Sequence, residues 1–217
     1  MDFINNIDIK QLIIMTIVLI ISIVGHEIAH GWVAYKFGDN TAKNLGRLSI
    51  NPINHIDPLG TIVVPALMYL STGLVFGWAK PVPIAINTVI RNGGYKGAIA
   101  VALAGITYNL TLFVLAFFAF GAVKATFPSQ ILAEFLYILF TVNLILALFN
   151  LYPIPPLDGS KALEYVFRIF RLHALANSYA NSQRYGFIIL IIIMISPFKE
   201  QFFYPIGYVL SLVRFLL

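Results

Sequence analysis

The chain has 217 residues, 59% of them hydrophobic and only 11% charged, with a formal net charge of +5. A mean hydropathy of +0.86 excludes an ordinary soluble domain and describes a polytopic membrane protein. The absence of cysteine excludes disulfides and thiolate metal sites, and the basic balance marks loops on one membrane face rather than a nucleic-acid partner.

Taken in chain order, a first apolar helix runs from about 9 to 36. The N-terminus lacks the basic flank and the small-residue cleavage site of a signal peptide. A loop rich in Gly, Asn and Pro follows, "KFGDNTAKNLGRLSINPINHIDPLGT". Residues 58–79 carry no charge but are interrupted by Pro58, Gly60, Pro65, Gly73 and Gly77. "GWAKPVPIAI" is short and broken by prolines, more strand-like than helical. Long apolar helices are predicted over about 96–123 and 131–151, each near the ~20 residues that span a bilayer. An amphipathic stretch, "SKALEYVFRIFRL", places Glu164 and Arg168 at i,i+4. Two short apolar segments, 185–198 and 201–213, end the chain. The fold expected is an all-α polytopic membrane protein with five to six apolar helical segments, one of them re-entrant, and a short strand-like element after it. Residues 1–217 read as a single membrane-embedded domain.

The first helix holds the chemistry, in "VGHEIAHGW" at 24–32. His26 and His30 are four residues apart, so on a helix they share one face and can hold one metal ion. Zn²⁺ accepts imidazole nitrogen and keeps one position for water in catalytic sites. Glu27, beside the first histidine, can take the proton of that water and pass it to a leaving amine. The pattern HExxH on a helix therefore implies metal-assisted hydrolysis. Ionisable residues in a membrane helix cost roughly 2.5–3.5 kcal/mol each on insertion scales and are usually functional.

Two histidines do not complete a zinc site. Asp158 follows "NLYPIPP", where prolines break an apolar helix. Irregular backbone at membrane depth is tolerated inside protein or beside a water-filled cavity, which would place Asp158 in such a cavity. An N-cap for the following helix fits Asp158 equally well on spacing. His55, in "NPINHID", could line the site or take the place of Asp158, or be a loop histidine bonded to its neighbours. Asn109 suits an interhelical hydrogen bond. Trp32 and Trp78 suit interfacial anchors.

"GHEIAHGW", "GRLSINPINHIDPLGT", "FGWAKPVPI", "LAGITYN" and "FNLYPIPPLDG" occur in that order over about residues 20–170. Together they resemble the site-2 protease family of intramembrane zinc metalloproteases, in its compact form without PDZ or CBS domains. The resemblance implies one zinc ion held by His26, His30 and Asp158, with Glu27 catalytic. It matches Asn150 to the Asn that opens the family's Asn…Pro…Leu-Asp-Gly motif, whose amide could hold a substrate carbonyl or oxyanion. Asn109 and His55 are further substrate-side candidates. One departure is "AGITYN", where the family often has Ala-Gly-Pro before its membrane Asn.

If these ligands meet, the helices carrying them must run the same way, with one net crossing between them. Segment 58–78 is therefore expected to re-enter rather than cross, leaving 96–123 as the crossing helix. Lys36, Lys43, Arg47, Lys80, Arg91 and Lys96 then share a face with Lys161, Arg168, Arg171 and Arg184. The positive-inside rule makes that face cytoplasmic, in a multi-pass protein of the cell membrane. The function expected is hydrolysis of peptide bonds in transmembrane or membrane-associated protein substrates, as in regulated intramembrane proteolysis. "FGWAKPVPI" could offer an edge to an extended substrate. Other classes compatible with the motif are an intramembrane metal transporter and an inactive scaffold of the same fold.

Overall fold

The computed structural model describes residues 9–64, 67, 79–126 and 129–216. Helix α1 (Ile9–Lys36) is followed by a one-turn helix α2 (Thr41–Asn44). Then come α3 (Ile86–Thr126), α4 (Gln130–Asn150), α5 (Asp158–Ile169), α6 (His173–Ser182), α7 (Gly186–Ile195) and α8 (Lys199–Phe215). α1, α3 and α4 are long and apolar enough to cross a membrane. Their Ile- and Val-rich sequences would suit strands in water, but a helix satisfies every backbone group within the segment, which lipid demands.

Of the five to six apolar helical segments expected, five stand among the described residues, α1, α3, α4, α7 and α8; three of them are long enough to cross, or four spans if the last bent pair counts as one. The helical run His173–Ile195, which ends in α7, meets α8 at 88°. At 1.5 Å per residue the ten residues of α7 reach only about 15 Å, half of a ~30 Å hydrocarbon core. Ser196 leaves α7 in an extended conformation, and Pro197 follows it.

Most of the segment expected to re-enter, 58–78, lies outside the described residues. It begins as a π-helical turn, Pro58–Val63. The ends of the excursion meet, because Lys80 N–H donates to the His55 carbonyl at 2.9 Å. The chain thus comes back to the place it left.

The strand-like element is not a strand: among the described residues no strand is present, and 79–85 is an extended strap. Pro81 and Pro83 have no N–H to give a ladder. The N–H groups of Lys80, Val82 and Ala85 go instead to the His55 carbonyl, the Glu27 carboxylate and the Asp39 carboxylate.

α1 packs parallel to α4, with α3 antiparallel between them in sequence. The buried residues of α1 include Ile14, Val18, Ser22, His26, His30 and Ala34, a stripe at strict four-residue spacing on one helix face. Its first members, Ile14 and Val18, join Ala116 and Phe120 of α3 and Leu136, Leu139 and Phe140 of α4. Phe140 meets Phe113, Phe117, Phe120 and Tyr137 with ring centroids 5.1–6.4 Å apart, steeply inclined, the arrangement aromatic quadrupoles favour. The last member, Ala34, packs with Val89 and Val101. The polar residues of the stripe lie between these two apolar clusters. α3 is broken at Gly94 (φ 63°, ψ −166°), a conformation open to glycine. The break separates 86–93 from the crossing portion. α5 is amphipathic as expected, and Arg168 bonds Glu164 at 2.7 Å. His173 opens α6.

Candidate active site

His26 and His30 lie one turn apart on α1, and the break after α4 brings Asp158 to them. Their Nε2 atoms are 3.1 Å apart, and Asp158 Oδ2 is 3.0 Å from each. All three side chains are buried. The rings stand edge to face, 77° between planes. Asp158 is the first residue of α5 and Leu157 is its N-cap, with no side-chain capping bond. The carboxylate is therefore spent on the histidines and on Lys161, whose Nζ lies 3.0 Å from Oδ1.

The far side of each ring decides what the near side offers. His30 Nδ1 lies 2.6 Å from the Val101 carbonyl, which can only accept, so Nδ1 carries the proton. His26 Nδ1 lies 2.6 Å from Asn109 Oδ1. Asn109 is oriented by its other end, where Nδ2 donates to the Ser22 carbonyl at 3.2 Å and to Asn143 Oδ1 at 2.8 Å. With Nδ1 of each ring engaged, both Nε2 atoms face each other and a carboxylate oxygen. A metal ion placed among them would meet two ring nitrogens and one carboxylate oxygen. The edges of the triangle, 3.0–3.1 Å, approach the ~3.3 Å between ligand atoms of a tetrahedral site with bonds about 2 Å long. These three residues form a group that could hold a metal ion, and two nitrogens with one carboxylate oxygen suit zinc.

Glu27, on the same helix, is half-buried, and its Oε2 accepts the Val82 N–H at 2.8 Å. Of the other candidates, only Asn109 touches the triad. Asn109 is fully buried and commits both ends of its amide to His26, Ser22 and Asn143, so it builds the wall behind His26. Asn150, at the end of α4, turns its amide N–H back to Leu146 at 3.0 Å. His55 is buried in the 47–55 loop with Nε2 2.9 Å from the Ser49 carbonyl. It is not a member of the metal-capable group. Trp32 is exposed, with Lys36 Nζ 4.6 Å from its ring centroid. Trp78 lies outside the described residues.

Sequence reasoning missed Ser22, Asn143 and Lys161. Each left a signal. Ser22 sits four residues before His26, on the same stripe. Asn143 is a lone amide in the middle of an apolar helix, where polar residues seek partners across helices. Its Nδ2 donates to Ser22 Oγ and to the Leu139 carbonyl, both at 2.8 Å. Lys161 is one turn beyond Asp158 on α5.

A helical membrane protein with a buried His-His-Asp cluster and an adjoining glutamate belongs to the class of intramembrane metalloproteins. The profile of peptidase family M50 matches residues 121–194. The chain is 37% identical over 197 residues to "Putative zinc metalloprotease YwhC" of Bacillus subtilis, covering 88% of this chain and 84% of that protein. It is 31% identical over 187 residues to "Putative zinc metalloprotease Rip2" of Mycolicibacterium smegmatis, covering 84% of this chain and 67% of that protein. The Mycobacterium tuberculosis protein of the same name, from strain H37Rv, is 28% identical over 189 residues, 87% of this chain and 69% of its own. No solved structure matches the chain significantly. The chain belongs to peptidase family M50, the site-2 protease family of intramembrane zinc metalloproteases.

Proposed function

We propose that this protein is an active zinc endopeptidase that hydrolyses peptide bonds of transmembrane or membrane-associated proteins, with its site toward the cytoplasmic face of the cell membrane. The observation that carries this reading is the convergence of two Nε2 lone pairs and a carboxylate oxygen at 3.0–3.1 Å, one residue from a glutamate. His26, His30 and Asp158 hold the zinc. Zinc held there supplies Lewis acidity toward water and the scissile carbonyl.

The chain's own groups do the rest. Val101 and Asn109 fix the tautomers of the two histidines. Lys161 occupies Asp158 Oδ1 and leaves Oδ2 to face the histidines. Glu27 takes the proton of the attacking water and returns it to the leaving amine. Its Oε2 is already bonded to Val82, so Oε1 is the oxygen left for this work. The substrate must first lose its helix at the cleavage point, since helical carbonyls are already bonded. The strap gives an incoming strand few partners, because Pro81 and Pro83 have no N–H and those of Lys80 and Val82 are used internally. Asn150 is the remaining side-chain amide candidate for the substrate carbonyl.

Orientation follows from charge. Lys36, Lys43, Arg47, Lys80 and Arg91 flank the end of the helices that holds the site. The opposite end holds Lys124 and the Lys10–Glu134 ion pair. Excess Lys and Arg on the site's side supports a cytoplasmic site. A transport reading would need ligands spaced along a path, and one three-residue group is found among the described residues.

The test is cleavage of a candidate membrane substrate by purified protein in detergent. Glu27→Gln is expected to abolish cleavage while the zinc content stays that of the wild type. Full cleavage by this variant would overturn the role given to Glu27.

A further inference from the structure

We propose that the strap 79–85 is the positioning element for Glu27: the backbone N–H of Val82 orients the carboxylate, and the buried side chain of Arg47 clamps the strap in place. This rests on the catalytic reading of Glu27 above and extends it to residues 47 and 82.

The strap is stitched down at several points. Arg47 Nη2 donates to the Lys80 carbonyl at 2.6 Å, and Lys80 N–H donates to the His55 carbonyl at 2.9 Å. Val82 N–H donates to Glu27 Oε2 at 2.8 Å. Ala85 N–H donates to Asp39 Oδ2 at 2.6 Å. Arg47 and Asp39 are buried despite their charge; Asp39 is bonded through both oxygens, and Arg47 through Nη2 while its Nε finds no partner among the described residues.

The strap is also pressed against α1. Gly31 is one turn beyond Glu27, on the same helix face. A Cβ there would come within 3.0 Å of Val82 Cγ1 and 2.8 Å of Leu48 Cδ2. The missing side chain is what lets Val82 sit close enough to reach Glu27. Prolines at 81 and 83 restrict the strap to extended backbone, so the Val82 N–H is held in direction by residues that cannot compete for the carboxylate. A base fixed at one oxygen presents the other at a set position, and misplacement by about 1 Å costs on the order of 10²-fold in rate.

Val82→Pro deletes the single donor and keeps the extended backbone, while Val82→Ala shortens the side chain and keeps the donor. The expected result is a kcat for Val82→Pro at least about tenfold below that of Val82→Ala, with KM within about threefold and zinc content equal. Arg47→Leu should lower kcat similarly, with partial recovery in Arg47→Lys. Hydrogen–deuterium exchange reads the contact without activity. A peptide spanning 79–86 should exchange faster in Glu27→Ala and in Arg47→Leu than in wild type. Equal kcat in the two Val82 variants, a rise in kcat for Val82→Pro, loss of zinc in that variant, or unchanged exchange in Glu27→Ala would each overturn the proposal. If the wild type cleaves no substrate, the proteolytic reading fails by itself, and the exchange experiment still reports on the strap.

Discussion

Asn109 Oδ1 lies 2.6 Å from Nδ1 of His26, across 83 residues of sequence. The bond sets which nitrogen of His26 is bare. It also ties the first histidine of the motif to α3 and, through Asn143 and Ser22, to α4 and back to α1. Partners behind a ligating histidine hold its ring orientation and raise its basicity.

Replacing Asn109 by Leu removes the acceptor and leaves Ser22 and Asn143 short of a partner. Zinc affinity is expected to fall by about 10–100-fold, read by competition with a chromophoric chelator. Asn143→Leu, one bond further from the metal group, should cost less.

Gly105 of α3 faces the same ring. A Cβ at this position would lie 2.4 Å from His26 Nε2 and Cε1, closer than real side-chain carbons come, so Gly105→Ala must push the imidazole out of the triangle. The expected outcome is loss of bound zinc and of cleavage with the helical content retained. Metal analysis alongside far-ultraviolet circular dichroism checks it.

Asp39 supplies a pH dependence outside the membrane-spanning helices. Burial pushes its carboxyl up, but hydrogen bonds from the Thr41 hydroxyl and amide and from Ala85 N–H outweigh this and hold it below its ordinary value. A depressed carboxylate contributes stability above its unfolded pKa, near ~3.9, and loses it as pH falls through the folded value. Asp39→Asn is therefore expected to destabilise the protein by about 1–3 kcal/mol at pH 7. Wild type and variant should converge as pH falls below the depressed value of the folded carboxyl. Thermal unfolding in detergent at both pH values measures the difference.

Local rules carried much of the fold and site. α1 was legible to the residue, and α4 to within one, because a run of apolar residues in lipid has a single way to satisfy its backbone. His26 and His30 were legible as a pair because four-residue spacing on a helix is a fixed geometry. The same spacing extended to Ser22 would have found part of the frame. Asp158 was ambiguous between cap and cavity. The family motif favoured the metal site, and the structure shows its carboxylate turned to the histidines while Leu157 caps the helix.

The contacts that aim these groups were not legible. Nothing local to Asn109 says that its amide faces His26, nor that Val82 N–H rather than a partner strand meets Glu27. The stretch read as strand-like, although Pro81 and Pro83 lack an N–H for a ladder; where the remaining N–H groups go depends on which surfaces pack together. How the last two apolar segments join, as a short hairpin or one interrupted span, was open for a related reason. Uncharged length marks α7 and α8 as apolar, and only the 88° bend between the run His173–Ile195 and α8 shows that they make one broken span at most. Helical spacing is written into covalent geometry and survives in any context. The pairing of residues 55 or 83 positions apart is settled by three helices and a strap closing on one another, where a buried donor must find whichever acceptor the packing brings.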